Sequence, residues 1–223
     1  MVKRRARSRG RSASRPLVAA AVVLGTVVFA AAAVLFLRGS EPEGTSVAAS
    51  YAAPVRGSQD APGTIDEYGD FQCPSCGAFA RGVEAELVRR YVDTGKAKIV
   101  FHHFAWIGPE SKRAAEAASC AGAQGKFWPY HDLLYANQRG ENSGFLSSDT
   151  LKRFATQLGL DRAAFDQCLD RGVYRAAVEA DLRSALRLGF NSTPTFVVNG
   201  QRIVGAQPIA VFAAVIDAKL AGR

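Results

Sequence analysis

A Cys-X-X-Cys motif between a predicted strand and a predicted helix is the feature that most limits the folds open to this chain. Cys73 and Cys76 enclose Pro74 and Ser75, residues 64–71 can form a strand, and apolar residues recur at helical spacing after the motif. A cysteine at the start of a helix lies near unpaired amides, which together with the helix dipole stabilise its thiolate. The position therefore predicts that Cys73 is the nucleophile of a redox pair and that Cys76 resolves mixed disulfides.

A metal site is the main alternative interpretation of the motif. Zinc sites use the same spacing, and Cys120 and Cys168 would then have to supply the other two ligands. Zinc-binding pairs usually occupy short turns, whereas these two cysteines stand apart on predicted helices. The adjacent His102 and His103 lie on a predicted strand and point to opposite faces, so they cannot chelate one ion together. The sequence therefore predicts no metal site.

An uncharged apolar segment at residues 17–37 is long enough to cross a bilayer about 30 Å thick as a helix. Basic residues fill the preceding segment, 1–16, and only Arg38 follows directly, so the positive-inside rule predicts a cytoplasmic N-terminus and an extracytoplasmic domain. Small residues at 30–33 and 48–50 leave a cleaved secretory signal as the alternative. Both interpretations place the following domain outside the cytoplasm, and the first makes the chain a single-pass protein of the cell membrane.

The formal charge of +8 does not indicate a nucleic-acid-binding surface. Seven basic residues and no acidic ones lie in the first 15 positions: Lys3, Arg4, Arg5, Arg7, Arg9, Arg11 and Arg15. The other basic residues nearly balance the 20 acidic ones. Since the excess charge belongs to a tail and not to a folded face, we expect no nucleic-acid partner.

The rest of the chain reads as a tether followed by one α/β domain. Residues 38–63 are rich in Gly, Ser, Pro and Ala and lack apolar periodicity, which predicts a flexible linker. The domain is predicted to occupy 64–223. Its further predicted elements are a strand at 97–105, a helical insertion at about 110–188, a hairpin at 195–204 that turns at Asn199-Gly200, and a helix from Pro208 to Leu220.

The two remaining cysteines, Cys120 and Cys168, lie 48 residues apart within the predicted helical insertion. An even number of cysteines in an exported domain favours two disulfides over four free thiols. A bridge between these two would tie two helices together. Buried free thiols and a second redox couple are the alternatives.

From about residue 55 to 220 the chain resembles the DsbA-like branch of the thioredoxin superfamily. The resemblance rests on several separated motifs in the same order. These are Gly57-Ser58-Gln59-Asp60-Ala61-Pro62, Asp70-Phe71-Gln72-Cys73-Pro74-Ser75-Cys76, Gly125-Lys126-Phe127-Trp128 with His131-Asp132-Leu133-Leu134, and Thr193-Pro194-Thr195-Phe196 followed by Asn199-Gly200.

The resemblance implies a thioredoxin-like fold with an inserted helical subdomain. It implies that Pro194, after Thr193, is the cis-proline that lies beside the active-site disulfide and helps to bind an extended substrate. It also implies that Glu67 is the buried acid that assists proton transfer at the second cysteine. Some relatives have a second disulfide like the one possible between Cys120 and Cys168.

The function implied is that of an extracytoplasmic thiol:disulfide oxidoreductase that introduces disulfides into reduced exported proteins. The strongest oxidants of the family have Pro-His between the cysteines, and Ser75 at the histidine position removes one stabiliser of the thiolate. The alternatives are a reductase or isomerase of the same fold, or a non-enzymatic binding or chaperone module with a structural disulfide. The resemblance implies reoxidation by a quinone-linked membrane protein of the DsbB or vitamin K epoxide reductase type, and no organic cofactor.

Overall fold

The computed structural model describes residues 51–222. The basic tail, the predicted anchor and the first part of the predicted linker lie outside this range. Five strands, eight α-helices and a π-helical turn follow in chain order over the described part: β1 Val55–Arg56, β2 Gly63–Gly69, α1 Pro74–Arg81, α2 Val83–Leu87, the π-helical turn Val88–Val92, β3 Ala97–His103, α3 Pro109–Gly122, α4 Phe127–Ala136, α5 Ser148–Gln157, α6 Arg162–Asp170, α7 Arg175–Arg187, β4 Thr195–Val198, β5 Gln201–Val204 and α8 Ile209–Ala221. Within residues 51–222 no helix has the length and hydropathy needed to cross a membrane.

The strands form one mixed sheet in the order β1-β3-β2-β4-β5. β2 is the central strand, parallel to β3 and antiparallel to β4. Side chains alternate between the two faces of a strand, so Ile65 and Glu67 share the face that packs on the main core. Asp66 points to the other face, where it contacts His102 of β3 at 2.9 Å. The central strand therefore carries two acidic residues in different environments: Asp66 is paired with His102, and Glu67 is buried in the core.

A block of five helices, α3 to α7, is inserted between β3 and β4. This confirms the predicted helical insertion, and the mixed α/β architecture is the thioredoxin-like fold that the sequence implies. The apolar core of the block includes Tyr130, Leu151 and Phe165, and it is continuous with Phe71 and Phe101 of the sheet region. The insertion therefore shares its core with the elements that carry the Cys-X-X-Cys motif.

Two local features differ from the sequence prediction. β1 lies inside the segment 38–63 predicted as a linker, and it pairs antiparallel with β3. The helix predicted to run on from the motif is broken at Gly82, whose φ of −122° and ψ of −84° are not helical. The chain restarts as α2 after this break, and α2 buries Glu84 and Leu87. Both differences bring charged residues to the core near the motif.

Candidate active site

Cys73 stands directly before the first residue of α1, and Pro74 occupies the first helical position. Proline suits this position because the first helical N–H has no partner within the helix. The carbonyl of Cys73 accepts hydrogen bonds from the Gly77 amide at 3.1 Å and from Gln138 Nε2 at 2.9 Å. A Cβ at Gly77 would displace the end of the Gln138 side chain, so glycine leaves room for this contact. The start of the helix, and with it Cys73, is thereby held against the end of α4.

The two thiols of the motif are free and have different environments. Cys73 keeps 7% of its surface exposed and Cys76 keeps none, so only Cys73 can be reached by another protein. A hydrogen bond from the Cys76 thiol lowers the pKa of Cys73 to about 6 against the opposing effect of burial; Thr193 and the amides of Cys76 and Ser75 also lower it. Burial, and then the neighbouring Cys73, raises the pKa of Cys76 well above its ordinary value. At neutral pH the pair is therefore a thiolate at Cys73 and a thiol at Cys76.

The loop before β4 covers the exposed side of Cys73. The Thr193–Pro194 peptide bond is cis, as the resemblance implies. When it is protonated, the Cys73 thiol donates to the carbonyl oxygen of Thr193 at 3.3 Å, and Trp106 Nε1 donates to Thr193 Oγ1 at 3.4 Å. Trp106 is 44% exposed, which is unusual for so large an apolar side chain. The sequence analysis did not single out Trp106, because a lone aromatic residue after a strand carries no signal of its own.

Asp70 connects the motif to the loop that carries Trp106. Its carboxylate accepts hydrogen bonds from the amides of Gln72 at 2.8 Å, Trp106 at 2.9 Å and Ile107 at 3.1 Å. Burial raises the pKa of Asp70, and hydrogen bonds from Ser111 and these amides oppose the rise. A carboxylate with three amide donors is a stable buried group, and it fixes the end of β2 relative to the end of β3.

Glu67 is fully buried, near enough to Cys76 to act on it electrostatically, and neither of its oxygens has a hydrogen-bond partner among the described residues. Its neighbours in the sheet are Phe101 and Phe196, neither of which offers a donor. Burial, and then the charge of Glu84, raises the pKa of Glu67 well above its ordinary value. A negative charge on Glu67 in turn raises the pKa of Cys76, so the two groups influence each other electrostatically. A proton on either one favours a charge on the other.

Two further side chains, Glu84 of α2 and His131 of α4, meet Glu67 in the interior. Their nitrogen and oxygen ligand atoms and those of Glu67 all lie within 4.8 Å of one another. Arg56 Nη1 donates to Glu84 Oε1 at 3.0 Å, and Arg56 Nη2 donates to Asp132 at 3.0 Å. Carboxylate and imidazole are metal-ligand types, but the Arg56 guanidinium beside Glu84 already balances one carboxylate charge and disfavours the binding of a metal cation.

The sequence analysis did not identify Glu84 or Arg56 as site residues. His131 appeared in it only within a family motif. Glu84 lies in a charged helical run that is typical of a solvated surface, and Arg56 lies in the predicted linker. No local pattern could have placed either of them at the core.

Cys120 of α3 and Cys168 of α6 form a disulfide, with their Cα atoms 5.9 Å apart. Cys120 is fully buried in the helical block. The bridge belongs to the same apolar cluster as Cys73 and Cys76.

A family model, a protein relative and a solved structure all relate this chain to thioredoxin-like proteins. Residues 49–218 match the model of a family described as thioredoxin. The chain is 27% identical over 187 residues to a probable disulfide bond formation protein D of Bacillus cereus, a match that covers 82% of this chain and 84% of that protein. The fold matches the crystal structure of oxidised BdbD from Bacillus subtilis with a TM-score of 0.72 at 26% identity, covering 76% of this chain and 94% of BdbD.

A higher identity connects the chain to larger proteins. It is 38% identical over 172 residues to the Na(+)/H(+) antiporter NhaA 1 of Salinispora arenicola. This match covers 75% of this chain and 25% of the antiporter. The chain therefore spans about a quarter of the length of the antiporter relatives that it matches.

Proposed function

Because this chain belongs to the thioredoxin family, as a DsbA-like thiol:disulfide oxidoreductase, we propose that it introduces disulfides into exported proteins through Cys73 and Cys76. The observation that carries the proposal is the difference between the two thiols. Cys73 is reachable and its pKa is lowered to about 6, whereas Cys76 is buried and its pKa is raised. A thiolate that is stabilised in the reduced pair makes the disulfide a better oxidant.

In the proposed reaction a substrate thiolate attacks the Cys73 sulfur of the Cys73–Cys76 disulfide. The electrons of the broken bond go to Cys76, which leaves and takes up a proton. A second substrate thiolate then attacks the substrate sulfur of the mixed disulfide, and Cys73 leaves as a thiolate. The substrate loses two electrons and the enzyme gains them. Thr193 and Pro194, together with the exposed Trp106, form the surface on which the substrate segment lies during the exchange.

The lowered pKa of Cys73 accounts for only part of the oxidising strength that we propose. At pH 7 a pKa lowered to about 6 stabilises the reduced pair by about 1.4 kcal/mol over an unperturbed thiol, or about 30 mV for two electrons. DsbA and thioredoxin differ by about 150 mV. The thiolate thus sets the direction towards an oxidase, and other differences in stability between the oxidised and reduced protein must supply the rest.

The cellular setting is part of the proposal. The apolar segment 17–37 is proposed to anchor the chain in the cell membrane, with the catalytic domain on the extracytoplasmic side. The Cys120–Cys168 disulfide supports this location, because structural disulfides persist in oxidising compartments. A quinone-linked membrane protein of the DsbB or vitamin K epoxide reductase type would then reoxidise Cys73 and Cys76.

The reduction potential of the pair tests the proposed direction. The full chain is equilibrated with glutathione buffers, its thiols are trapped with an alkylating reagent, and the trapped groups are counted by mass. We expect a single transition of two thiols at a potential near the DsbA value of about −120 mV. The Cys120→Ser, Cys168→Ser variant is the matched control and should show the same transition.

Other outcomes of this titration would select the alternatives. A value near that of thioredoxin, about −270 mV, would indicate a reductase. Serine in place of histidine at position 75 would help to explain such a value, because it removes one stabiliser of the Cys73 thiolate. A transition of four thiols would make Cys120 and Cys168 a second redox couple. A pair that does not exchange would leave a binding module with a structural disulfide.

A further inference from the structure

The buried trio of Glu67, Glu84 and His131 contains more acid and base groups than one proton transfer requires. Glu67 and His131 are fully buried, and Glu84 is 1% exposed. Both oxygens of Glu67 and Nε2 of His131 lack a hydrogen-bond partner among the described residues. Unpaired polar atoms cost free energy in a protein interior, so three of them at one place call for a functional explanation.

The orientation of His131 is fixed from the surface side. Its Nδ1 lies 2.8 Å from Asp132 Oδ1, and the Asp132 side chain is 56% exposed. A carboxylate at this distance favours the tautomer that carries its proton on Nδ1, which leaves the lone pair of Nε2 facing the interior. A lone pair beside two carboxyl groups is stabilised when one of those groups carries a proton. The ring can therefore accept a proton from the interior at Nε2 while it donates one to Asp132 at Nδ1.

We propose that His131 and Glu84 form a proton relay that connects Glu67 with the surface at Asp132. The relay rests on the proposed function, since it serves the protonation of Cys76 during disulfide exchange. His131 and Glu84 act through Glu67 and are positioning residues for its proton. One ligand atom from each member of the trio lies within 4.8 Å of the others, a gap that one bridging water can span, and His131 contacts Asp132 at the surface.

The proton balance of the exchange requires such a path. When a substrate thiolate breaks the Cys73–Cys76 bond, Cys76 leaves as a buried thiolate and takes a proton from the Glu67 carboxyl group. Glu67 recovers a proton from Glu84, or from Nε2 of a His131 ring that carries its proton there, and Nδ1 of the ring then takes up a proton from solvent at Asp132. When the disulfide forms again, Glu67 first releases its proton to Nε2 of His131 as Nδ1 gives one up at Asp132, and Glu67 then accepts the proton of the Cys76 thiol. The residues paired with Glu67 in the sheet, Phe101 and Phe196, can neither give nor take a proton.

Several titratable or charged groups contribute to the electrostatic environment of Glu67. They are Arg56 of β1, Cys76 of α1, Glu84 of α2, and His131, Asp132 and Tyr135 of α4, with His103 of β3 acting on His131. Arg56 offsets one negative charge among the carboxyl groups. The Tyr135 hydroxyl is buried, its pKa is raised well above the ordinary value, and it does not exchange protons near neutral pH. The pKa of the buried His103 is lowered to about 3, so that ring stays neutral.

The test is the rate at which Cys76 closes the disulfide. The reduced full chain is mixed with excess oxidised glutathione, which forms a mixed disulfide at Cys73, and samples are quenched with acid at intervals. Mass spectrometry then follows conversion of the mixed disulfide into the Cys73–Cys76 disulfide. In this step Cys76 loses a proton, and glutathione leaves as a thiolate.

We expect His131→Asn and Glu84→Gln to slow ring closure at least about tenfold at pH 7, and their rates to rise in proportion to hydroxide. Imidazole buffer should accelerate His131→Ala in proportion to its concentration and leave the wild type unchanged. Glu67→Gln should be slow as well, and adding His131→Asn to it should slow it no further, because both changes interrupt one path. Asp132→Asn, at a side chain that is 56% exposed, keeps the test available if His131 variants fail to fold. It should slow ring closure less than the His131 variants do.

His102→Asn is the matched control, because His102 also pairs with an aspartate but lies on the other face of the sheet. It should close the disulfide at the wild-type rate. His131 variants that close as fast as the wild type, or that are slowed equally at every pH and do not respond to imidazole, would overturn the relay. One equivalent of zinc in the wild type that is lost in Glu84→Gln would overturn it in favour of a metal site. Failure of the wild-type pair to exchange would instead refute the proposed function.

Discussion

At the scale of single residues, Cys73 acquires its reactivity from its neighbours. The largest effect that lowers its pKa to about 6 is the hydrogen bond from the Cys76 thiol, ahead of Thr193 and the amides at the start of α1. Burial acts in the opposite direction. The nucleophile is therefore activated in large part by the cysteine that will later replace its substrate, and this coupling can be tested directly.

We expect Cys76→Ala to raise the pKa of Cys73 from about 6 towards the ordinary value of about 8.5, because the variant removes the strongest donor to the thiolate. Cys76→Ser keeps a hydroxyl donor and should raise it less. The rate of alkylation of Cys73 between pH 4 and pH 9 measures the midpoint in each protein. An unchanged midpoint in Cys76→Ala would mean that the helix amides and Thr193 activate the thiol without Cys76.

The sequence predicts some of these residues and not others, for physical reasons. Cys73 and Cys76 were identifiable because their spacing and their position before a helix are local features. Glu84 was not, because Glu86 in the same short helix has the same residue type and stays on the surface, paired with Arg90. What distinguishes Glu84 is contact with Arg56 from a distant strand, and contacts of that kind leave no periodic trace.

At the scale of elements, the strongest sequence predictions came from periodic or punctuated segments. The hairpin around Asn199-Gly200 and the helical insertion are confirmed. β1 was missed since two residues have no periodicity, and its strand character comes from pairing with β3. The break at Gly82 was also missed, because one glycine in a helical pattern is often tolerated.

The disulfide between α3 and α6 gives a prediction at this scale. Closing a loop of 48 residues restricts the unfolded chain, so Cys120→Ala with Cys168→Ala should lower the free energy of unfolding by up to about 4 kcal/mol. Denaturant titration of the oxidised proteins measures the difference. The alkylation midpoint of Cys73 should stay near 6 in the same variant. A shift of that midpoint would mean that the bridge also positions the active site.

At the scale of the whole molecule, the charge distribution and the proposed activity both favour the same orientation of the chain across the membrane. Seven of the eight net positive charges lie in the tail before the apolar segment 17–37, so the tail is the part of the chain that resists export. The catalytic domain needs the opposite environment, because a pair that donates disulfides has reduced substrates and an oxidising partner only outside the cytoplasm. The two requirements are met together if the segment spans the membrane with its N-terminus inside.

Labelling in intact cells tests this orientation. In a variant with Ser8→Cys, a membrane-impermeant maleimide should label reduced Cys73 from outside and should reach position 8 only after the membrane is permeabilised. The membrane pellet should contain the full-length mass. A shorter, released protein would show that the apolar segment is a cleaved signal, which leaves the compartment unchanged. Labelling of position 8 but not of Cys73 in intact cells would place the active site in the cytoplasm, where reducing conditions would make a disulfide donor futile and a reductase the better assignment.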